Sequence, residues 1–225
     1  YQRSRGRGPS RYPRLRAWEF LWDWVQVPGP RTRLATKPQR QTTALHLGFY
    51  LANWGMFRGS GRLHQQNLEF FEDLVEHLFG GERIPAEFWS LRLQDFAPGS
   101  ELQDQAAALF GEALEALKAF KPGGVSWTDT LTTKVLLGLW GQTPAFDRYF
   151  LEGLSSFLEG RPNVHFRGLR AVTAHTLVDL ADLAKEHAWG RGKRYLTANG
   201  RHPYPLGKVI DMAFFQLGAD LSSSA

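Results

Sequence analysis

Cysteine is absent from this chain, which excludes disulfides, thiolate-bound zinc and iron–sulfur clusters and fits a reducing, cytoplasmic setting. No apolar run is long enough to cross a bilayer and no signal-peptide core stands near the start, so no membrane partner is expected. The most apolar stretch, residues 44–57, contains His46, Asn53 and two glycines and reads as a buried helix. The seven histidines show neither HExxH nor paired ligand spacing, so neither a metal nor a cofactor is expected. No segment alternates apolar and polar residues with period two, so no strand is expected either.

Aromatic bulk is what the chain has in quantity. Eight Trp and sixteen Phe in 225 residues mean that several large rings must be buried or line a pocket. The net charge of +5 is unevenly placed. Residues 1–16 hold six of the 27 Lys and Arg and no acid, which leaves 21 to face all 22 Asp and Glu. The basic character therefore sits in patches: the N-terminal arm, the loop 31–40 and the loop 191–201. Basic patches on a neutral body fit a polyanionic partner.

Periodicity and capping signals predict an all-α protein of about nine helices: a flexible basic arm over 1–15, then a single helical domain over 16–225, with 98–100 as the place where two lobes would part. The expected helices cover about 16–27, 44–57, 63–78, 85–93, 100–120, 129–140, 146–158, 167–187 and 205–221. Ser100 with Gln103 and Ser126 with Asp129 have capping-box spacing, and Thr42 or Thr43 is placed to cap the second helix. On the last helix Leu206, Val209, Ile210, Ala213, Phe214 and Leu217 read as the inward stripe. The chain is expected to act as a monomer.

One lysine stands out. Lys134 lies inside an apolar helix, with Leu131, Val135, Leu136 and Leu139 at short helical offsets, and burial of an amine favours its neutral, nucleophilic form. Asp147 follows Pro144-Ala145-Phe146 at a helix start, where a carboxylate also serves as an ordinary cap. The succession Pro122-Gly123-Gly124, Lys134 and Pro144-Ala145-Phe146-Asp147-Arg148 resembles the motif of the helix–hairpin–helix DNA glycosylases. Its hairpin-to-lysine interval is longer than the family's and its lysine-to-aspartate interval shorter. The resemblance implies that Lys134 attacks the sugar C1′ as in bifunctional members, that Asp147 assists, and that the partner is duplex DNA with one base flipped out. Asp211 and Phe215 of the last helix are similar to the acid-plus-aromatic pair with which the archaeal 8-oxoguanine branch of that family grips its base.

Trp54, one turn before the exposed Arg58-Gly59-Ser60 turn, is a further candidate for the mouth of a base pocket. Phosphate contacts are expected from Arg58, from the Gly123–Gly124 hairpin, from Arg148, and from Arg191, Lys193 and Arg194. The segment Leu51–Ser60 is also similar to one shared by a group of uncharacterised bacterial proteins, which implies no activity. Two other readings stand beside the glycosylase. Arg170 and His175 have the Arg-x4-His spacing of the all-α HEPN ribonucleases, although that offset places them about 140° apart on a helix. A non-catalytic helical module that binds nucleic acid or protein needs none of these residues to converge.

Overall fold

Among the described residues the long helical periodicities become eight α-helices: α1 (Pro13–Val25), α2 (Lys37–Asn53), α3 (Leu68–Phe79), α4 (Gln103–Ala119), α5 (Asp129–Leu139), α6 (Arg148–Glu159), α7 (Ala174–Glu186) and α8 (Leu206–Ser224). The computed structural model describes residues 13–58, 62–81, 83–159, 171–192 and 194–224. Among these residues the protein is all-α and has no strand; a lone antiparallel bridge joins Leu196 to Pro203. Residues 1–12 of the expected arm lie outside the described residues. Its last residues do not belong to an arm, because α1 already begins at Pro13 and Leu15 is buried.

Helix boundaries moved where local chemistry offered a better end. α2 starts at Lys37, with Pro38 in its first turn, rather than at the threonines. Thr43 is instead buried, and its hydroxyl donates to the carbonyls of Leu34 and Gln39. The segment expected to be helical from Leu63 makes only a 3-10 turn, and α3 begins after Asn67, whose side chain accepts from Phe70 N at 3.1 Å. Residues 86–90 form a 3-10 turn rather than an α-helix. α5 is capped by Thr128, which accepts from Leu131 N, and not by Ser126. Its first-turn Asp129 reaches across to Val172 N.

One contiguous set of buried apolar side chains runs from Leu15 to Phe214. Trp140 sits among Phe88, Phe96 and Phe110, with ring centroids 4.6, 6.1 and 5.9 Å away. The polar atoms of the buried indoles find backbone partners, as burial demands: Trp140 Nε1 donates to Leu91 O and Trp18 Nε1 to Leu137 O.

α6 and α8 cross closely enough for their main chains to meet. A methyl group on Gly153 of α6 would meet Phe214 O at 2.1 Å, and one on Gly218 of α8 would meet Tyr149 O at 2.0 Å. Glycine costs a helix about 1 kcal/mol relative to alanine, and here that cost is offset by backbone-to-backbone approach. The crossing also sets which side of α8 faces inward. The stripe read from the sequence is displaced: Ala213 is exposed and Leu217 is 37% exposed, whereas Lys208, Asp211, Phe214 and Gly218 point in. Gly218→Ala should therefore lower stability by about 2 kcal/mol or more, read as a fall in the thermal midpoint. A midpoint equal to wild type would show that the two helices can part freely.

Candidate functional site

Two lysines and two aspartates meet around one indole ring. Lys134 comes from the middle of α5, where all its helix neighbours from Leu131 to Leu139 are buried. Its side chain is 2% exposed, and its Nζ lies 2.7 Å from Asp147 Oδ2 and 4.5 Å from the centre of the Trp54 ring. Lys208 and Asp211, three residues apart on α8, form a second pair at 2.6 Å with 0% and 1% exposure. Lys208 Nζ lies 4.7 Å from the Trp54 ring and 5.3 Å from that of Trp18. Ammonium groups on the faces of tryptophan gain cation–π attraction, which is largest where water is excluded.

Each carboxylate has two tasks. Asp147 Oδ1 accepts from Phe150 N at 3.1 Å, capping α6, while Oδ2 holds Lys134. Asp211 Oδ1 accepts from Ala145 N at 3.0 Å, while Oδ2 holds Lys208. The connection that delivers Asp147 is thus pinned from α8. It is pinned from α5 as well, since Phe146 N donates to Thr133 Oγ1 and Thr130 Oγ1 donates to Phe146 O. Tyr50 of α2 donates its hydroxyl to Lys134 O.

The electrostatics of the cluster follow from its burial. Enclosure holds Lys208 below the ordinary lysine value, a trend opposed by Asp211 and Asp147 and reinforced by the charge of Lys134. Tyr50 is pushed well above its usual value, first by burial and then by the charges of Asp211 and Asp147. Asp147 is the member nearest to water, with a side chain 15% exposed.

The expected catalytic and base-pocket residues therefore share one place. Lys134 meets both Asp147 and Trp54, and Phe215 packs edge-on against Trp54 at 5.5 Å and Tyr149 at 5.2 Å. Asp211 is there too, but fully enclosed with both oxygens engaged, so it does not face a space that a base could fill. Lys208 was not among the expected residues; its i, i+3 spacing to Asp211 was the available signal. Thr133 and Tyr50 gave no signal beyond their place on apolar helices.

The expected phosphate-binding residues are dispersed. Arg58 is exposed in the turn after Trp54, and Arg148 directly follows Asp147, with its Nε on Glu152 Oε1 at 2.6 Å. Gly123 and Gly124 both adopt left-handed backbone, with φ of 64° and 66°, in a tight turn between α4 and α5; Gln66 Nε2 donates to Gly123 O. Arg191 and Arg194 are exposed in the loop before α8. That loop is tied to α1 by two acids: Glu19 accepts from Ala198 N and from the Tyr204 hydroxyl, and Asp23 meets His202 at 2.9 Å. Gly59, Ser60, Lys193 and Arg170 lie outside the described residues, and His175 is exposed at the start of α7. Among the described residues no group of three or more His, Asp or Glu is placed to hold a metal ion, and no helix is long and apolar enough to cross a membrane.

Comparison of the chain with protein-family models, with curated proteins and with solved structures finds no match.

The cluster makes a testable demand on stability. Asp147→Asn keeps an acceptor for Phe150 N but leaves the Lys134 ammonium buried without its counter-ion, which should cost about 3 kcal/mol. Adding Lys134→Met to that variant removes the stranded charge. The double variant should then be more stable than the sum of the single losses implies. Additive losses in a denaturant-unfolding cycle would show that the pair is not coupled.

Proposed function

We propose that the chain is a DNA glycosylase-like enzyme that flips a damaged or modified base out of duplex DNA, cleaves its N-glycosidic bond, and acts as a lyase on the product. The observation that carries this reading is the 2.7 Å contact between Lys134 Nζ and Asp147 Oδ2 beneath the Trp54 ring. An amine nucleophile needs a base within hydrogen-bond reach, held there by something else. Asp147 supplies the base, and its hold on Phe150 N supplies the orientation.

In the proposed step Lys134 passes a proton through Asp147 to the departing base, which restores the carboxylate, and its amine attacks C1′ of the flipped nucleotide. The C1′–N bond breaks, its electron pair leaves with the base, and the base takes up that proton. The sugar ring then opens to give a Schiff base between Nζ and C1′. As the glycosidic bond lengthens, positive charge builds on the sugar, and a fixed carboxylate stabilises that charge more in the transition state than in the ground state. Phe215, half-buried at the edge of the cluster, is the ring best placed to stack on the base. Lys134 is enclosed, so attack requires Trp54 or Phe215 to move aside as the base enters. Asp211 acts as a positioning residue, through Ala145, rather than as a contact to the base. Arg58 and Arg148, which neighbour Trp54 and Asp147 in sequence, hold the flanking phosphates.

Two outcomes check this reading. Wild-type protein incubated with duplexes carrying oxidised, alkylated or deaminated bases should form a borohydride-reducible adduct on at least one of them. Lys134→Gln should form none while still binding that duplex; a wild-type chain that traps on no such duplex is not a lyase. Asp147→Asn, assayed in single turnover well below its own melting midpoint, should release base about 10²-fold more slowly or worse. Release at the wild-type rate would leave Asp147 as a cap and counter-ion alone.

A further inference from the structure

A second candidate site lies apart from the lysine–aspartate cluster, where two cavities adjoin. One, of about 670 Å³, lies between the turn 29–32 and the segment 78–90; the other, of about 430 Å³, is walled by Trp22, Trp89, Trp140 and Tyr204. Arg31, Trp89 and Ser90 line both, and none of Trp54, Lys134, Asp147 and Asp211 lines either.

The chain places a cation between them for a local reason. Pro28-Gly29-Pro30 ends α1, and the following 3-10 turn, Arg31–Ala35, folds back on it. Arg31 Nη1 donates to Val25 O at 2.7 Å, and Arg33 Nη2 donates to Val25 O and Val27 O. The two arginines thereby cap the negative end of α1. A helix end carries only about half a charge, so two guanidinium groups exceed it. Among the described residues no carboxylate lies within ion-pair distance of Arg31. Burial, and after it the charge of Arg33, holds Arg31 down at about 10. Its guanidinium lies 5.9 Å from the Trp89 ring. A half-buried cation that has no acid partner among the described residues, with two cavities beside it, is a place for an anion.

The smaller cavity narrows the choice of anion. Its walls offer aromatic rings together with the amides of Gln26, Gln94 and Gln142. Gln26 Nε2 is a buried donor without a hydrogen-bond partner. Gln142 Oε1 is taken by Leu93 N at 3.1 Å, which fixes how that amide is turned. A flat ring with donors and acceptors along its edge satisfies such walls, and a phosphate satisfies Arg31. We propose that the paired cavities bind a free 5′-mononucleotide, with its phosphate on Arg31 and its base between the tryptophan edges, an acceptor atom of the base meeting Gln26 Nε2. Volumes of this size are ordinary for a small-molecule site. The inference is independent of the glycosylase reading and stands or falls without it.

The test is a titration of the full chain with the four common 5′-ribomononucleotides, with the matching nucleosides and with inorganic phosphate, followed by calorimetry and by the fluorescence of the lining tryptophans. At least one nucleotide should saturate, and should bind tenfold or more tightly than its nucleoside or phosphate. Arg31→Gln should weaken it tenfold or more, and Arg31→Lys less. Since Arg31→Gln also removes a cap and can unfold the end of α1, Ser90→Phe supplies a second route. Ser90 is exposed on the wall shared by both cavities, and the larger ring should block entry without touching the cap. Failure of all four nucleotides to saturate overturns the proposal. So does a nucleoside that binds as tightly as its nucleotide, or a nucleotide affinity that Ser90→Phe leaves unchanged.

Discussion

Two ammonium groups buried against one indole set the terms for the centre of this protein. Lys134 and Lys208 each bring a charge into a region closed to water, and neither stays there without a carboxylate. Asp147 reaches Lys134 only if the connection after α5 turns back toward it. Asp211 reaches Lys208 along its own helix, and its second oxygen fastens that same connection at Ala145. Four side chains thus fix how α5, α6 and α8 sit, with Trp54 at the end of α2 as the common surface.

This arrangement depends on backbones that approach more closely than side chains allow. Gly153 and Gly218 let α6 and α8 touch through their main chains, which carries the capped start of α6 and the charged face of α8 to the same depth. Gly207 plays a similar part, since a methyl group there would meet the carbonyl group of Gln142 at 2.3 Å. Rigid elements that share several anchors hold reacting groups more accurately than loops do. Asp147, at the rim, combines such anchoring with partial contact with solvent.

Charge at the surface follows a different logic. The loop before α8 carries Arg191, Arg194 and Arg201, all exposed, yet it is tied down by acids of α1 that are themselves buried or nearly so. Glu19 and Asp23 accept from the loop's inner side, and these three arginines point outward. Arg31 is the contrary case: a basic residue drawn toward the end of a helix and, among the described residues, left without an acid. Both features come from backbone groups needing partners before any ligand is present.

The sequence by itself determined the helical class and the larger helices, because a 3.6-residue apolar period is a local property of the chain. It also determined that Lys134 would be enclosed, since Leu131, Val135, Leu136 and Leu139 stand at short helical offsets from it, and that Asp147 would stand at a helix start. It did not determine the ends of helices where several polar residues competed for a cap, as with Thr128 in place of Ser126. Nor did it determine the inner face of α8. Leu217 and Ala213 fit an apolar stripe as well as Phe214 does, and counting apolar residues turned that helix so that Lys208 went unnoticed. A charged residue can face inward only when a partner from another segment, or a ring to lie against, is delivered to it. Those partners were Trp54, Trp18 and the Ala145 amide, each distant in sequence from α8, so tertiary packing alone decided that Lys208 and Asp211 would be buried.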